Sequence, residues 1–336
     1  MFGLVSNLHK VKYLSMMFNP AGKIGLGTAA IGRPHYINVR HEKPIENQTL
    51  PDFKRNAIKM LDEAYNKGIR FFDASPGYGL IESVLIEWLQ QNNDEDIVIA
   101  TKWGLSYQAN FNINASIHEL KEHSLKNLNA QWKFSKKLLP NLKIYQIHSA
   151  TFDTGVLDNK AILTRLHELK KEYDILIGLT TTGESQVEVL KKAFDIEIEN
   201  ELLFNSFQST FNIFDQSIIQ LGSTLQDDSR QLIIKESLAN GRLIPNSFFN
   251  KHNNLYRYIS DLAVKYNVAA DAIAMRFCMD SFPKAICLSG ASSANQMRSN
   301  LLANQIKLQA EDLELLRSYN VNPEMYWNER KTLPWQ

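Results

Sequence analysis

The sequence predicts an α/β protein closed into a (β/α)8 barrel, and three observations carry that expectation. Short apolar runs alternate with stretches of helical spacing along most of the 336 residues, the pattern of parallel strands covered by helices. Runs such as Ile97-Val98-Ile99-Ala100 are apolar without alternation, as strands buried on both faces must be. Eight such units at this length suit a closed barrel, in one domain spanning 1–336, better than an open sheet.

Taken in order, residues 23–28 read as the first strand. With 11–17 they form an expected N-terminal β-hairpin around Asn19-Pro20-Ala21-Gly22. A helix runs from about Asp52 to Lys67, stopped by Gly68, and strand 69–73 follows. Residues 82–91 set Val84, Leu85, Trp88 and Leu89 on one helical face. Strands are then expected at 97–101, 144–148, 175–179, 203–207, 232–235 and 285–288. Helical spacing marks 117–128, 157–170, 184–193, 216–222, 256–266, 270–279 and 294–303. Two segments stand outside the alternation, 32–50 and a C-terminal tail after Tyr319 that holds Tyr326, Trp327 and Trp335. Such a tail either caps the barrel or walls a substrate site. Residues 129–139 read as a solvated excursion before the fourth strand. The 33–50 stretch lies on the active-site side by topology, where His35 or Tyr36 could shape the pocket.

Composition excludes several classes. Lys plus Arg number 37 against 36 Asp plus Glu, a formal charge of +1, so no basic excess points to nucleic acid or an anionic membrane. No apolar run reaches the ~20 residues that span a bilayer. Lys10 and Lys12 precede the apolar stretch 13–18, which is too short for a secretory core. Cys278 and Cys287 sit in apolar surroundings and read as buried, inert thiols, consistent with a reducing, cytoplasmic location. The remaining histidines lack ligand spacing, so no metal site is expected.

Chemistry in such a barrel gathers at the C-terminal ends of the strands. That edge holds Asp73 after the second strand, Lys102 after the third and His148 after the fourth, with Tyr78 five residues beyond Asp73. Hydride addition to a carbonyl makes an alkoxide that must be protonated as it forms. A tyrosine near pKa ~10 holds its proton too tightly; a neighbouring ammonium favours the phenolate, and a buried lysine needs a carboxylate beside it. His148 can orient the carbonyl oxygen.

The stretch GIRFFDASPGYGLIESVLIEWL, from Gly68, resembles the signature of the aldo-keto reductases. IATKWG at 99–104 resembles the family's lysine strand and IYQIHSA at 144–150 its histidine strand. Further likeness lies in IGLGTAA near the start, IGLTTTG at 177–183, Gln208 in FNSFQST, KESLANGRL at 235–243 and LSGASSANQMRSNL at 288–301, so that it covers roughly residues 11–305. The resemblance implies an oxidoreductase transferring hydride between NADP(H) and a carbonyl or alcohol substrate, with Tyr78 as general acid/base and Asp73, Lys102 and His148 beside it. It implies cofactor contacts at Gly27 and Thr28, at Thr181 and Gln208 for the nicotinamide carboxamide, and at Glu236, Leu238, Asn240 and Gly241 along the pyrophosphate. Gly290, Ser292, Gln296 and Asn300 would surround the adenosine phosphate end at a helix N-terminus. NADP is expected over NAD because most of the family uses it, although Gly290 and Gln296 stand where many members have cations. Lys235 stands where an aromatic residue often stacks on the nicotinamide. A monomer or weak homo-oligomer with a small-molecule partner is expected.

Two other readings remain at this level. A barrel lyase would use Lys102 as a Schiff base, leaving Tyr78 and the 290–300 segment without a role. A nicotinamide-binding sensor would keep the fold without turnover.

Overall fold

In the computed structural model, which describes residues 23–39, 49–112, 114–247 and 249–335, eight parallel strands close into a barrel. They are β1 (Ile24–Gly27), β2 (Phe71–Asp73), β3 (Val98–Trp103), β4 (Leu142–Ala150), β5 (Leu176–Thr181), β6 (Ser206–Thr210), β7 (Gln231–Lys235) and β8 (Ile286–Ser289). Each pairs with its neighbour in this order, and β1 closes on β8 through Ile24↔Cys287 and Leu26↔Ser289. The hairpin partner expected at 11–17 lies outside the described residues.

The crossover helices are α1 (Leu50–Asn66), α2 (Ile81–Gln91), α3 (Leu125–Ser135), α4 (Lys160–Tyr173) and α5 (Gln186–Phe194). After β7 come α6 (Asn253–Tyr266) and α7 (Ala270–Ser281), and after β8 come α8 (Ala294–Leu301), α9 (Ala310–Arg317) and α10 (Pro323–Lys331). Local chemistry explains their limits. A capping box between Thr49 and Asp52, with a proline in the first turn, starts α1. Gly68, at φ +90°, follows its end. Ala57, Met60, Leu61 and Ala64 form the buried face of α1, at helical spacing.

Inside the barrel, Phe71, Ala100, Ile144, Leu176, Ile233, Ile286 and Leu288 pack as one apolar plug. The period of two along a strand then turns Asp73, Lys102, Gln146, His148 and Lys235 toward the same interior, nearer the C-terminal mouth. Gln146 Nε2 donates to Ser206 Oγ at 3.1 Å across this layer, which places Ser206 and Gln208 on the inner face of β6. The apolar plug supports the floor and the polar layer above it faces the mouth. Both cysteines are buried and unbridged.

Two expectations are corrected. Residues 117–128 do not form one helix: Glu119–Lys121 is a short strand paired antiparallel with Leu105–Tyr107, and α3 begins only at Leu125. Ile117 and Leu120, which suggested a buried helical face, are 60% and 50% exposed. Conversely, 129–139 is no solvated excursion, because most of it belongs to α3, the covering helix of this unit. Trp132 is buried there and packs edge-to-face on Tyr145 of β4 and Tyr173 of α4, each at 4.9 Å. The tail is also ordered into helix. Tyr326 and Trp327 of α10 are buried over the ends of β6 and β7, where the Tyr326 hydroxyl meets Asn212 Nδ2 at 3.1 Å and Trp327 Nε1 donates to Asp215 at 3.2 Å. Among the described residues no helix is long and apolar enough to cross a membrane.

Candidate active site

The centre of the mouth is a buried carboxylate with two partners. Asp73 closes β2, and Lys102 stands two residues beyond Ala100, the register partner of Asp73 on β3. Lys102 Nζ reaches Asp73 Oδ2 at 2.6 Å and Ala74 O at 2.8 Å, with both side chains out of solvent. The other carboxylate oxygen accepts from Gln208 Nε2 at 2.7 Å. One carboxylate thus holds a cation from β3 and an amide from β6.

Tyr78 is delivered by a 3-10 turn, Pro76–Tyr78. Ser75 starts the turn, its Oγ accepting from Gly77 N at 3.0 Å and meeting His148 Nδ1 at 3.0 Å. Where the Ser75 hydroxyl donates to Nδ1, the neutral imidazole carries its proton on Nε2 as a donor. The Tyr78 ring lies 4.8 Å from Lys102 Nζ and 5.5 Å from the His148 ring, edge-to-face. All four residues expected from the sequence therefore meet at one place, with Gln208 beside them.

The electrostatics follow from burial. Burial, then the charges of Lys102, Arg33 and Lys235, hold His148 well below the usual imidazole range. Burial pushes Lys102 down while Asp73 opposes that shift. Tyr78 is pushed well above 10 by burial first and then by Asp73 and Tyr36, and Arg33 opposes them. Lys102 was expected to favour the Tyr78 phenolate with Asp73 as its counter-charge, and the two lie 2.6 Å apart with Nζ 4.8 Å from the ring.

Arg33 is the residue that sequence reading missed. It follows the β1 loop, is 1% exposed, and donates from one nitrogen to Gly77 O at 2.8 Å and to Glu119. The rings of Tyr36, Tyr78 and Trp335 lie 5.2, 5.4 and 5.2 Å from its guanidinium carbon. Its sequence signal was slight, a lone arginine after Ile31-Gly32 in an aperiodic loop. Of the two residues considered in that loop, Tyr36 lies in this cluster, while His35 packs on His118 at 6.5 Å.

The cofactor residues expected from resemblance fall into three groups. Gly27 pairs with Asp73 in register, and Thr28 locks to the Asp73 carbonyl through N and Oγ1 at 3.0 and 2.7 Å. The Thr181 hydroxyl turns to Ser209 Oγ at 2.9 Å and Gln186 at 3.2 Å within the barrel wall; its neighbour Thr180 accepts from Ser149 N at 2.7 Å. In the second group, Leu238, Asn240 and Gly241 form a turn in which Asn240 and Gly241 have φ of +57° and +82°. Asn240 receives Val39 N on its carbonyl and donates its amide to Ile37 O. Glu236 is buried under α10. Arg330 meets it through Nε at 2.8 Å and Nη2 at 2.6 Å, and Tyr326 donates at 3.1 Å. Burial raises that carboxyl, but Arg330 and Lys235 overcome it and bring it to about 2. Lys235 Nζ donates to Thr210 Oγ1 at 3.0 Å and lies 5.5 Å from the Trp327 ring.

The third group gathers where β8 meets α8. A side chain at Gly290 would face open space, Ser293 caps α8, and Gln296 Oε1 accepts from Ser292 N at 2.9 Å. Asn300 is buried between Ser289 Oγ and Asp271, both at 2.6 Å. Arg298 leans away, to Asn295 and to Glu63 at 3.5 Å. A helix N-terminus beside open backbone accommodates a phosphate, so the third group suits the phosphate end of a dinucleotide, while the Thr181 hydroxyl, the Gln208 amide and the Glu236 carboxylate are engaged within the protein.

Fold and cluster define a (β/α)8 barrel with Tyr, Lys, Asp and His converging at its C-terminal mouth. The aldo/keto reductase family model matches residues 23–321, and the chain belongs to that family of oxidoreductases. An Escherichia coli NADH-specific methylglyoxal reductase is 23% identical over 326 residues, covering 88% of this chain and 93% of that protein. Two solved structures share the fold. An aldo-keto reductase from Bacillus halodurans (holo form) has a TM-score of 0.66 at 19% identity, covering 89% and 92% of the two chains. A glycerol dehydrogenase from Gluconobacter oxydans has 0.68 at 18%, covering 88% and 90%.

The loop that carries Tyr78 is wedged against β1's loop without space for a side chain. A Cβ on Gly32 would lie 2.1 Å from Tyr78 O and 2.8 Å from Ile81 Cβ. Gly32→Ala is expected to cost about 1–3 kcal/mol through overpacking, read as a lowered urea midpoint. Gly290→Ala, which meets nothing within 4 Å, serves as the neutral control; equal midpoints for the two would contradict the close approach.

Proposed function

We propose that the protein reduces a small carbonyl compound, or oxidises the matching alcohol, with a nicotinamide dinucleotide and with Tyr78 as the group that moves the proton. The observation that carries this reading is the meeting of Tyr78 with Lys102, Asp73 and His148 at one buried point. The bound dinucleotide supplies or accepts the hydride. Tyr78 gives its proton to the carbonyl oxygen as negative charge develops there. Even with its pKa raised, a phenol is far more acidic than an alcohol, so the transfer runs downhill at that moment. His148, neutral, positions the oxygen, and Asp73 keeps Lys102 charged beneath the ring. The rings of Tyr36 and Trp335 pack on the Arg33 guanidinium beside Tyr78. A Schiff base at Lys102 is disfavoured because its ammonium is held by Asp73 and Ala74 O.

Gln208 would hold the carboxamide, and the Gly290–Ser293 turn with the start of α8 would hold the adenosine end. The expectation of NADP finds little support in these side chains. Arg298 is turned to Asn295 and Glu63 at the surface, and among the described residues no hydrogen bond or ion pair joins a cation to Gly290, Ser292 or Gln296. That favours NADH, as does the specificity named for the Escherichia coli relative. Quenching of tryptophan fluorescence is expected to show NADH binding at least as tightly as NADPH. Tenfold tighter NADPH binding would reverse the cofactor assignment, and binding of neither would overturn the function proposed.

A further inference from the structure

We propose that a second histidine, His123, is a positioning residue for His148, holding its backbone from the loop between the Glu119–Lys121 strand and α3. The inference rests on the proposed function, in which His148 positions the reacting oxygen. His123 Nε2 lies 2.9 Å from the His148 carbonyl oxygen. A carbonyl only accepts, so Nε2 carries the proton of this ring and Nδ1 is left as an acceptor. Among the described residues, His123 Nδ1 is buried and meets no donor. Burial brings the imidazole down to about 4, so it is a neutral donor at ordinary pH. The bond falls where β4 is irregular. The pairing of β4 with β5 shifts register between Ile147 and Ala150, and Ser149 has a φ of +55°. Such a bulge disrupts the ladder locally and re-aims a side chain. Two side chains hold the backbone there, His123 on His148 O and Thr180 Oγ1, which accepts from Ser149 N at 2.7 Å.

His123 is itself seated in a built notch. Its ring lies over Gly104, where a Cβ would come within 2.2 Å of Cδ2, and it stands edge-on to Trp103 at 5.5 Å. Gly104, at φ +104°, donates its N to Gln131 Oε1 and accepts Glu122 N on its O, both at 2.8 Å. On the other side of His123, Ser124 caps α3 through Asn127 N. The ring thus joins the end of β3, which carries Lys102, to the end of β4, which carries His148. Ser75 meets the other end of His148, at Nδ1, so ring and backbone are held from two different loops. A histidine that only packs needs the shape of this notch; one that positions His148 needs the Nε2 donor as well.

The test is a double-mutant cycle on kcat/KM for carbonyl reduction, with cofactor affinity and the urea midpoint measured on the same preparations. His123→Phe keeps a ring in the notch and removes the donor, whereas His123→Gln sets an amide nitrogen near the place of Nε2. His123→Phe is expected to lower kcat/KM about tenfold, since a small misplacement of a positioning group suffices, with cofactor affinity held within about twofold. His123→Gln is expected to restore most of that loss. In a His148→Gln background, adding His123→Phe is expected to cost nothing further, because no imidazole is left to aim. A packing role alone would lower the urea midpoint and leave the kcat/KM of the folded enzyme in place. Wild-type kcat/KM in His123→Phe, or an equal loss with and without His148, would overturn the inference. If His123→Phe does not fold, His123→Asn, whose amide falls short of the carbonyl, decides in the same two backgrounds. A wild type without turnover on any carbonyl sinks the proposed function and this inference together; turnover indifferent to His123 sinks this inference alone.

Discussion

Tyr78→Phe is expected to lower kcat for carbonyl reduction by about 10³-fold, within the range for loss of a positioned general acid, while cofactor affinity stays within about twofold. The substitution is clean because the ring does the packing. Its edge-to-face contact with His148 and its place above Lys102 and beside Arg33 involve the ring rather than the hydroxyl. The side chain is 9% exposed, so removing one oxygen leaves no sizeable cavity. Steady-state kinetics and cofactor titration on the same preparation separate the outcomes. A variant of full activity would remove Tyr78 from the mechanism. A loss confined to KM would make it a binding residue rather than a proton donor.

Which parts of this site the sequence disclosed depends on how each residue is carried. Asp73, Lys102 and His148 stand at or near the ends of buried apolar strands, so strand periodicity alone located them at the mouth, and Gln208 was placed by its local motif. Arg33, Glu119 and Arg330 come from a loop, an exposed hairpin and a terminal helix, none of which has a period that predicts its neighbours. Arg330 reaches Glu236 across 94 residues and Arg33 reaches Glu119 across 86; no local pattern encodes such pairs. The fold shows the same division. The eight strands were legible from their unbroken apolar runs, with shifts of a few residues at their ends. Helix α3 was misplaced because Ile117 and Leu120, exposed on a two-stranded hairpin, mimic one turn of an apolar helical face. The true face, Leu128 and Trp132, lies four residues apart just beyond.

Glu236 bears on how the mouth is assembled. A carboxylate with a pKa of about 2 under α10 is stable there only while Arg330 and Tyr326 cover it. Arg242 and Lys251 hold Glu329, the residue before Arg330, from the other side. The terminal helix is therefore tied to the rim of β7 through two adjacent carboxylate–arginine contacts of opposite polarity, Glu236–Arg330 and Arg242–Glu329. That arrangement fixes α10 over the end of β7, with Tyr326 and Trp327 buried beneath it.

Lys102→Met carries the largest expected cost in stability, because it leaves Asp73 buried with an uncompensated charge. Asp73 would keep the Gln208 amide at 2.7 Å and lose its cation at 2.6 Å. Breaking one side of a buried ion pair typically costs about 3–5 kcal/mol. Adding Asp73→Asn to Lys102→Met removes the second charge and keeps an oxygen for Gln208, so most of the lost stability should return. Turnover should not return, since His148 and Tyr78 then face a neutral floor. Urea denaturation of wild type, both single variants and the double variant closes the cycle. A double variant as unstable as Lys102→Met would show that Lys102 contributes through packing. Restored turnover in the double variant would show that the ion pair has no part in catalysis and that its role is to hold β2 and β3 together beneath Tyr78.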